Sequence, residues 1–147
     1  MGIEMEVIHW NDAFNIGHVE LDSQHQQLVG MIADLQRSLC QGLVNPQVGV
    51  TLKELVQYTK THFQFEQELM QKSGYPHYAE HVRLHQHMID QIVKILHDLR
   101  QGESVTAIQL RELLKGWLVH HIMQEDKKIG EYLQQLAKAE KAPLAKI

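Results

Sequence analysis

Two pairs of metal-capable side chains stand four residues apart in the stretch from Tyr58 to His87: His62 with Glu66, and His81 with His85. On a helix of 3.6 residues per turn, a spacing of four returns the second side chain to within about 40° of the first. Each pair therefore points one way, and two such pairs on adjacent antiparallel helices can face each other across a core. Four nitrogen and oxygen donors meeting inside a helical bundle suggest a metal site. More donors lie on apolar stripes elsewhere, with His25 among Leu21, Leu28, Val29, Ile32, Leu35 and Leu39, and the run HHIMQED at His120 to Asp126. A lone histidine on an apolar face is more often a hydrogen-bonded core residue than a ligand. So many buried titratable groups, however, would cost several kcal/mol in desolvation unless each found a partner, and a metal supplies those partners at once.

The elements that must position these donors are four helices, expected at about 21–41, 47–72, 77–100 and 104–130. Apolar residues recur at helical spacing in each: Leu52, Leu55, Val56, Phe63, Leu69 and Met70 in the second, and Leu84, Met88, Ile92, Ile95 and Leu96 in the third. The fourth carries Leu110, Leu113, Leu114, Trp117, Leu118 and Ile122. Breaks fall at Gly42, at Asn45 and Pro46, at Ser73 to Pro76, and at Gly102, with Ser104 a suitable N-cap and Gly130 the expected end of the fourth helix. Ahead of them Ile8 to Gly17 alternates apolar with polar residues and reads as an extended arm, 1–18, whose Trp10, Phe14 and Ile16 must be buried against the bundle. A short helical tail, 131–147, follows. The fold class is all-α, an antiparallel up-down-up-down four-helix bundle forming a single domain over 1–147.

Composition narrows the partners. The 147 residues carry a formal charge of −4 from interspersed acids and bases, with no basic run to follow a phosphate backbone, which argues against nucleic acid. A single cysteine, Cys40, allows no internal disulfide and no CxxC site. The N-terminus lacks the positive start and apolar run of a signal peptide, and no apolar stretch reaches the ~18 residues of a membrane span. A cytoplasmic protein without membrane insertion is expected, and nothing like an extra apolar face forces it beyond a monomer. The unusual feature is eleven histidines.

The order of the motifs is itself informative. DxxH at Asp22 to His25, HxxxE at His62 to Glu66, HxxxH at His81 to His85 and HxxxxD at His121 to Asp126 together resemble the hemerythrin family in its bacterial single-domain form. The resemblance extends to Trp10, to Gly74 to Pro76 and to Trp117 to Ile122, over about residues 10–133. It implies two iron ions joined by an oxo or hydroxo group, with His81, His85 and His121 on one, His25 and His62 on the other, and Glu66 and Asp126 bridging them. With one bridging solvent oxygen the first iron then has six ligands and the second five, which leaves one position open for dioxygen. Helix geometry alone is less decisive at one place. A spacing of five turns Asp126 about 140° from His121 on an ideal α-helix, whereas Glu125 stays on the same side. The family motif favours Asp126, which requires an oblique approach of the helix or a wide turn. His121 likewise fits the motif better than His120.

Similar proteins line the open position with apolar side chains, and the matching residues are Leu28, Phe63, Trp117, Leu118 and Ile122, each of which could equally be ordinary core. No acid, hydroxyl or thiol is placed by motif to deliver protons there. The function implied is reversible dioxygen binding for storage or delivery to an oxygen-consuming enzyme, without catalysis by this chain. The alternatives are an oxygen or redox sensor acting through a partner, and a di-iron enzyme reducing nitric oxide or peroxide. His77, His87 and His97, like His9 and His18, are expected off the site. Glu6 with His9 is the one Glu-x-x-His pair in the sequence, and a ferritin-like centre needs such pairs on two core helices.

Overall fold

The computed structural model describes residues 8–40, 46–101 and 113–141, without the side chains of residues 39, 40, 46, 47, 99, 100, 117–119 and 141. The expected breaks at Gly42, Asn45 and Gly102, the cap at Ser104, Leu110 and the tail from residue 142 lie outside the described residues. So do the side chains of Leu39, Cys40, Trp117 and Leu118.

Helix α1 spans Val19–Cys40, α2 Pro46–Ser73 and α3 Tyr78–Arg100; a π-helix, Gly116–Asp126, then runs directly into α4, Lys127–Lys141. Together they form an antiparallel four-helix bundle, with the π-helix and α4 as parts of one fourth rod. Each start and stop has a local cause. The His18 ring Nδ1 accepts the Leu21 N–H at 3.2 Å and so caps α1. Proline opens α2, where its missing N–H costs nothing. Gly74 ends α2 in the left-handed region at φ +72°. Its N–H donates to Gln71 O and the Tyr75 N–H to Met70 O, the paired bonds of a Schellman stop, while the Tyr132 hydroxyl donates to Ser73 O at 2.7 Å.

The arm is extended around one 3-10 turn, Asp12–Phe14, closed by the Asn11 side chain accepting the Ala13 N–H. Phe14 and Ile16 are buried and Trp10, half-buried, stacks on Phe14 at 5.3 Å. Asp22, the first residue of the DxxH motif, fixes the arm by accepting the Ile16 and Gly17 N–H groups at 2.8 and 3.2 Å. Gly130 does not end the fourth helix as expected; it lies inside α4. A Cβ there would land on the Ile16 carbonyl, so the glycine is needed for the arm to cross the helix rather than to stop it. Leu84, expected to face inward, is exposed. On α3 the buried stripe runs through His81, His85, Met88 and Ile92, and Leu84 sits about 70° from its centre, at the rim.

Two apolar clusters fill the interior. The larger contains Leu28, Ile32, Leu55, Phe63, Met88, Ile92, Leu114 and Ile122 among others; the smaller contains Ile16, Leu21, Met70, Tyr75 and Ile129. On every helix at least one metal-capable residue falls between the two: His25 between Leu21 and Leu28, Glu66 between Phe63 and Met70, His81 and His85 between Tyr75 and Met88, and Asp126 between Ile122 and Ile129. A polar layer is thus sealed above and below by hydrocarbon.

Candidate metal centre

Helix periodicity delivers most of this layer. The i,i+4 pairs on α2 and α3 point inward as spaced, and His25 joins them from α1; all five are buried. The π-helix accounts for the remaining two. Its i→i+5 hydrogen bonds put more residues into each turn than an α-helix holds, so a spacing of five returns near the same side. His121 Nε2 and Asp126 Oδ1 accordingly stand 3.0 Å apart, both buried. Glu125 instead faces outward and pairs with Lys128 at 3.4 Å, and His120 is exposed. His9, His77, His87 and His97 are exposed as well, and His18 is half-buried at its cap.

The seven residues form two donor sets that share their carboxylates: Glu66, His81, His85, His121 and Asp126 in one, and His25, His62, Glu66 and Asp126 in the other. Each carboxylate divides its oxygens between them. Glu66 Oε1 lies 2.6 Å from His81 Nε2 and 3.0 Å from His85 Nε2, whereas Oε2 lies 3.3 Å from His62 Nε2 and 3.7 Å from His25 Nε2. Asp126 Oδ1 faces His81 and His121 at 3.1 and 3.0 Å, and Oδ2 faces His25 at 3.0 Å. All five imidazoles present Nε2.

These close approaches are mostly not hydrogen bonds. Among the described residues, His25 Nδ1 and Nε2, His121 Nε2, Glu66 Oε2 and both Asp126 oxygens are buried without a hydrogen-bond partner. Such atoms cost about 1–3 kcal/mol each when left unsatisfied. Apart from His25 Nδ1, these atoms belong to the two donor sets, in each of which the ligand atoms all lie within 4.8 Å of one another, an arrangement that a cation in each set would satisfy. The donor chemistry fits: imidazole with bridging carboxylate suits a redox-capable transition metal better than an all-oxygen calcium or a closed tetrahedral zinc site.

Two glutamines that sequence reasoning did not single out hold the rings in place. His62 Nδ1 donates to Gln24 Oε1 at 2.6 Å, and His85 Nδ1 donates to Gln67 Oε1 at 2.9 Å, which fixes both tautomers with Nε2 free toward the centre. Phe63 stacks flat on the His85 ring at 3.7 Å. Gln24 is one residue before His25 and Gln67 one after Glu66, so adjacency to a donor was the available signal.

Charge in the layer is balanced by protons when no cation is there. Burial lowers the pKa of His25, but the facing Asp126 and Glu66 carboxylates outweigh it and raise it to about 10. His81 is raised to about 9 by the same carboxylates against the same burial. His85 goes the other way, to about 4, because burial and the neighbouring His121 and His81 outweigh Glu66. Burial would raise Glu66 and Asp126, yet the surrounding histidines hold both well below the usual carboxylate range.

Beside the layer a small cavity, with about 10 Å³ of room for the centre of a water-sized molecule, is lined by Leu28, Ile32, His62, Phe63, Met88, His121, Ile122 and Asp126. Of the expected pocket residues, Leu28, Phe63 and Ile122 are there. Ile32 and Met88 were not anticipated; both are apolar residues at ordinary core spacing.

Residues 17–133 match the model of the hemerythrin HHE cation binding domain. Similar proteins include a bacteriohemerythrin of Stenotrophomonas maltophilia, 33% identical over 91% of this chain and 89% of that one, and one of Pseudomonas aeruginosa, 34% identical over 80% and 75%. A myohemerythrin of Theromyzon tessulatum is 27% identical over 82% of this chain and 89% of its own. Among solved structures, wild-type hemerythrin superposes with a TM-score of 0.79 at 28% identity, covering 87% of this chain and 98% of that one.

Proposed function

The chain belongs to the hemerythrin family, and from that premise we propose that it binds dioxygen reversibly at a non-heme di-iron centre, storing oxygen or delivering it to an oxygen-consuming enzyme. The observation that carries the reading is the division of Glu66 and Asp126 between two unequal sets of imidazoles. His81, His85 and His121 would hold one iron and His25 and His62 the other, with each carboxylate spanning both. Bound in these two sets, a pair of ferrous ions would supply the two electrons for holding dioxygen.

The protein's own residues supply the rest. The two-histidine set has one donor fewer, and the cavity touches its His62. That cavity has room for about one water-sized molecule, the scale of a small neutral ligand. Its described lining beyond the donors is Leu28, Ile32, Phe63, Met88 and Ile122, so it offers no hydroxyl, thiol or carboxylic acid apart from Asp126. Hydrocarbon on that side keeps water and protons from the bound ligand, and that favours release of dioxygen over its reduction. This supports binding rather than turnover.

The test is an anaerobic iron count on the reduced protein, followed by optical spectra through cycles of oxygen addition and removal. Two irons per chain with an absorption band that appears and disappears over repeated cycles supports the proposal. Two irons that oxidise once and do not recover move the function toward sensing or catalysis. No iron after adequate supply removes the centre.

A further inference from the structure

A second opening reaches the polar layer from the surface, at the start of α3 and the end of the π-helix. It is a pocket of about 190 Å³ lined by Tyr75, His77, Glu80, His81, Leu84, Glu125 and Lys128. His81 belongs to both places. Its Nε2 faces Glu66 and Asp126, and among the described residues its Nδ1 has no hydrogen-bond partner, unlike the Nδ1 atoms of His62 and His85. A ring whose side chain is only 2% exposed thus forms the floor of a surface pocket.

The donors of this pocket descend in exposure toward the centre. The side chains of Glu80 and His77 are 70% and 62% exposed, Glu125 is 23% exposed, His81 is 2% and Asp126 is 0%. Glu80 and Glu125 carry negative charge. Among the described residues the only lysine or arginine lining the pocket is Lys128, whose ammonium lies 3.4 Å from each Glu125 oxygen on a largely exposed side chain and can swing away. The other cavity, apart from the inner donors His62, His121 and Asp126, is lined by Leu28, Ile32, Phe63, Met88 and Ile122, and stripping a cation's water against that hydrocarbon carries the desolvation cost of an unpaired charge. Along the polar pocket each water lost is replaced by a carboxylate or imidazole.

We propose that this pocket is the entry port for the metal: a divalent transition-metal cation is captured by Glu80 and His77, displaces Lys128 from Glu125, and is passed to His81 and the inner carboxylates. The proposal rests on the di-iron reading of the centre. It separates two routes, a charged one for the cation during loading and an apolar one for the neutral ligand afterwards. His77, Glu80 and Glu125 do not close into a resident site of their own, since among the described residues the convergent donor sets comprise only the seven inner residues.

The experiment follows anaerobic uptake of ferrous iron by the metal-free full chain, with a chelator quench to count protected iron against time. Glu80→Gln with Glu125→Gln should slow uptake by about tenfold, the lower end of electrostatic focusing, while the final count stays at two. Lys128→Gln should speed it by about twofold, since the competing ammonium is gone. Glu54→Gln with Glu68→Gln, exposed on α2, controls for net charge and should load at the wild-type rate. Equal slowing by that control, or none by the port variants, overturns the port and leaves the centre standing. A final count below two in the port variants also overturns it, because these carboxylates would then be resident ligands. A wild-type chain that takes up no iron removes the centre and the port with it.

Discussion

The rings of His62 and His85 are each held by a single amide oxygen, and those two hydrogen bonds govern how well Nε2 is aimed. Replacing either glutamine by alanine leaves every donor in place but frees a ring to tilt. Gln24→Ala and Gln67→Ala should each weaken metal retention about 10- to 100-fold in competition with a chelator, with Gln24→Glu, which keeps an acceptor, retaining most of it. Ile122 acts at the same scale by what it excludes. Ile122→Thr puts a hydroxyl into the cavity wall, where it can admit water and a proton; oxygenated protein should then bleach irreversibly several-fold faster than wild type, about 1 kcal/mol off the barrier. Unchanged bleaching would mean the cavity does not protect the ligand. Residues that pair along an α-helix were legible from spacing, as His62 with Glu66 and His81 with His85 demonstrate. Gln24 and Gln67 were not, because a polar residue at a helix position looks like surface until its partner is known.

At the scale of elements, the π-helix explains why Asp126 was reachable only through the motif. A 3.6-residue period selects Glu125, and nothing in the composition of Gly116 to Asp126 announces a wider turn. Gly130 departs from its expected role for a related reason: glycine near the end of an apolar stripe signals a stop, yet here it marks where another segment crosses. The crossing can be tested. Alanine in place of Gly130 gains about 1 kcal/mol in helix propensity, but its Cβ would meet the Ile16 carbonyl, 2.9 Å from the carbon. Overpacking against backbone costs about 1–3 kcal/mol. Gly130→Ala should therefore lower the urea midpoint while leaving the iron count at two; a raised midpoint would show that the arm yields freely.

Across the whole molecule, a polar layer between two hydrocarbon clusters ties folding to metal and to pH. On the di-iron reading, iron present at a thousandfold excess over its dissociation constant would stabilise the native state by about 4 kcal/mol, so removing it should lower the melting temperature. The metal-free chain should also respond to alkali. His25 and His81 are raised to about 10 and 9, so their contribution is complete below the ordinary histidine pKa of 6.5 and is lost as pH climbs through those values. His85, lowered to about 4, takes stability away as pH falls below 6.5. Metal-free stability should peak near pH 6.5 and decline toward pH 10, whereas the loaded chain, with neutral ligating imidazoles, should be flatter over the same range. Thermal melts of both forms from pH 5 to 10 check this. The four-helix architecture behind it was legible throughout, since strand patterns were absent and each helix carried its own apolar stripe.

Shared carboxylates have a statistical consequence. On the di-iron reading, once a first ion had fixed Glu66 and Asp126 the second would find two of its donors already oriented, which predicts coupled rather than independent occupancy. Chains given half the metal they can hold should sort into full and empty populations, with few singly occupied molecules in a native mass spectrum. A binomial spread would mean the two positions fill independently. In the coupled case a shortage of iron reduces the number of working molecules and leaves each of them complete.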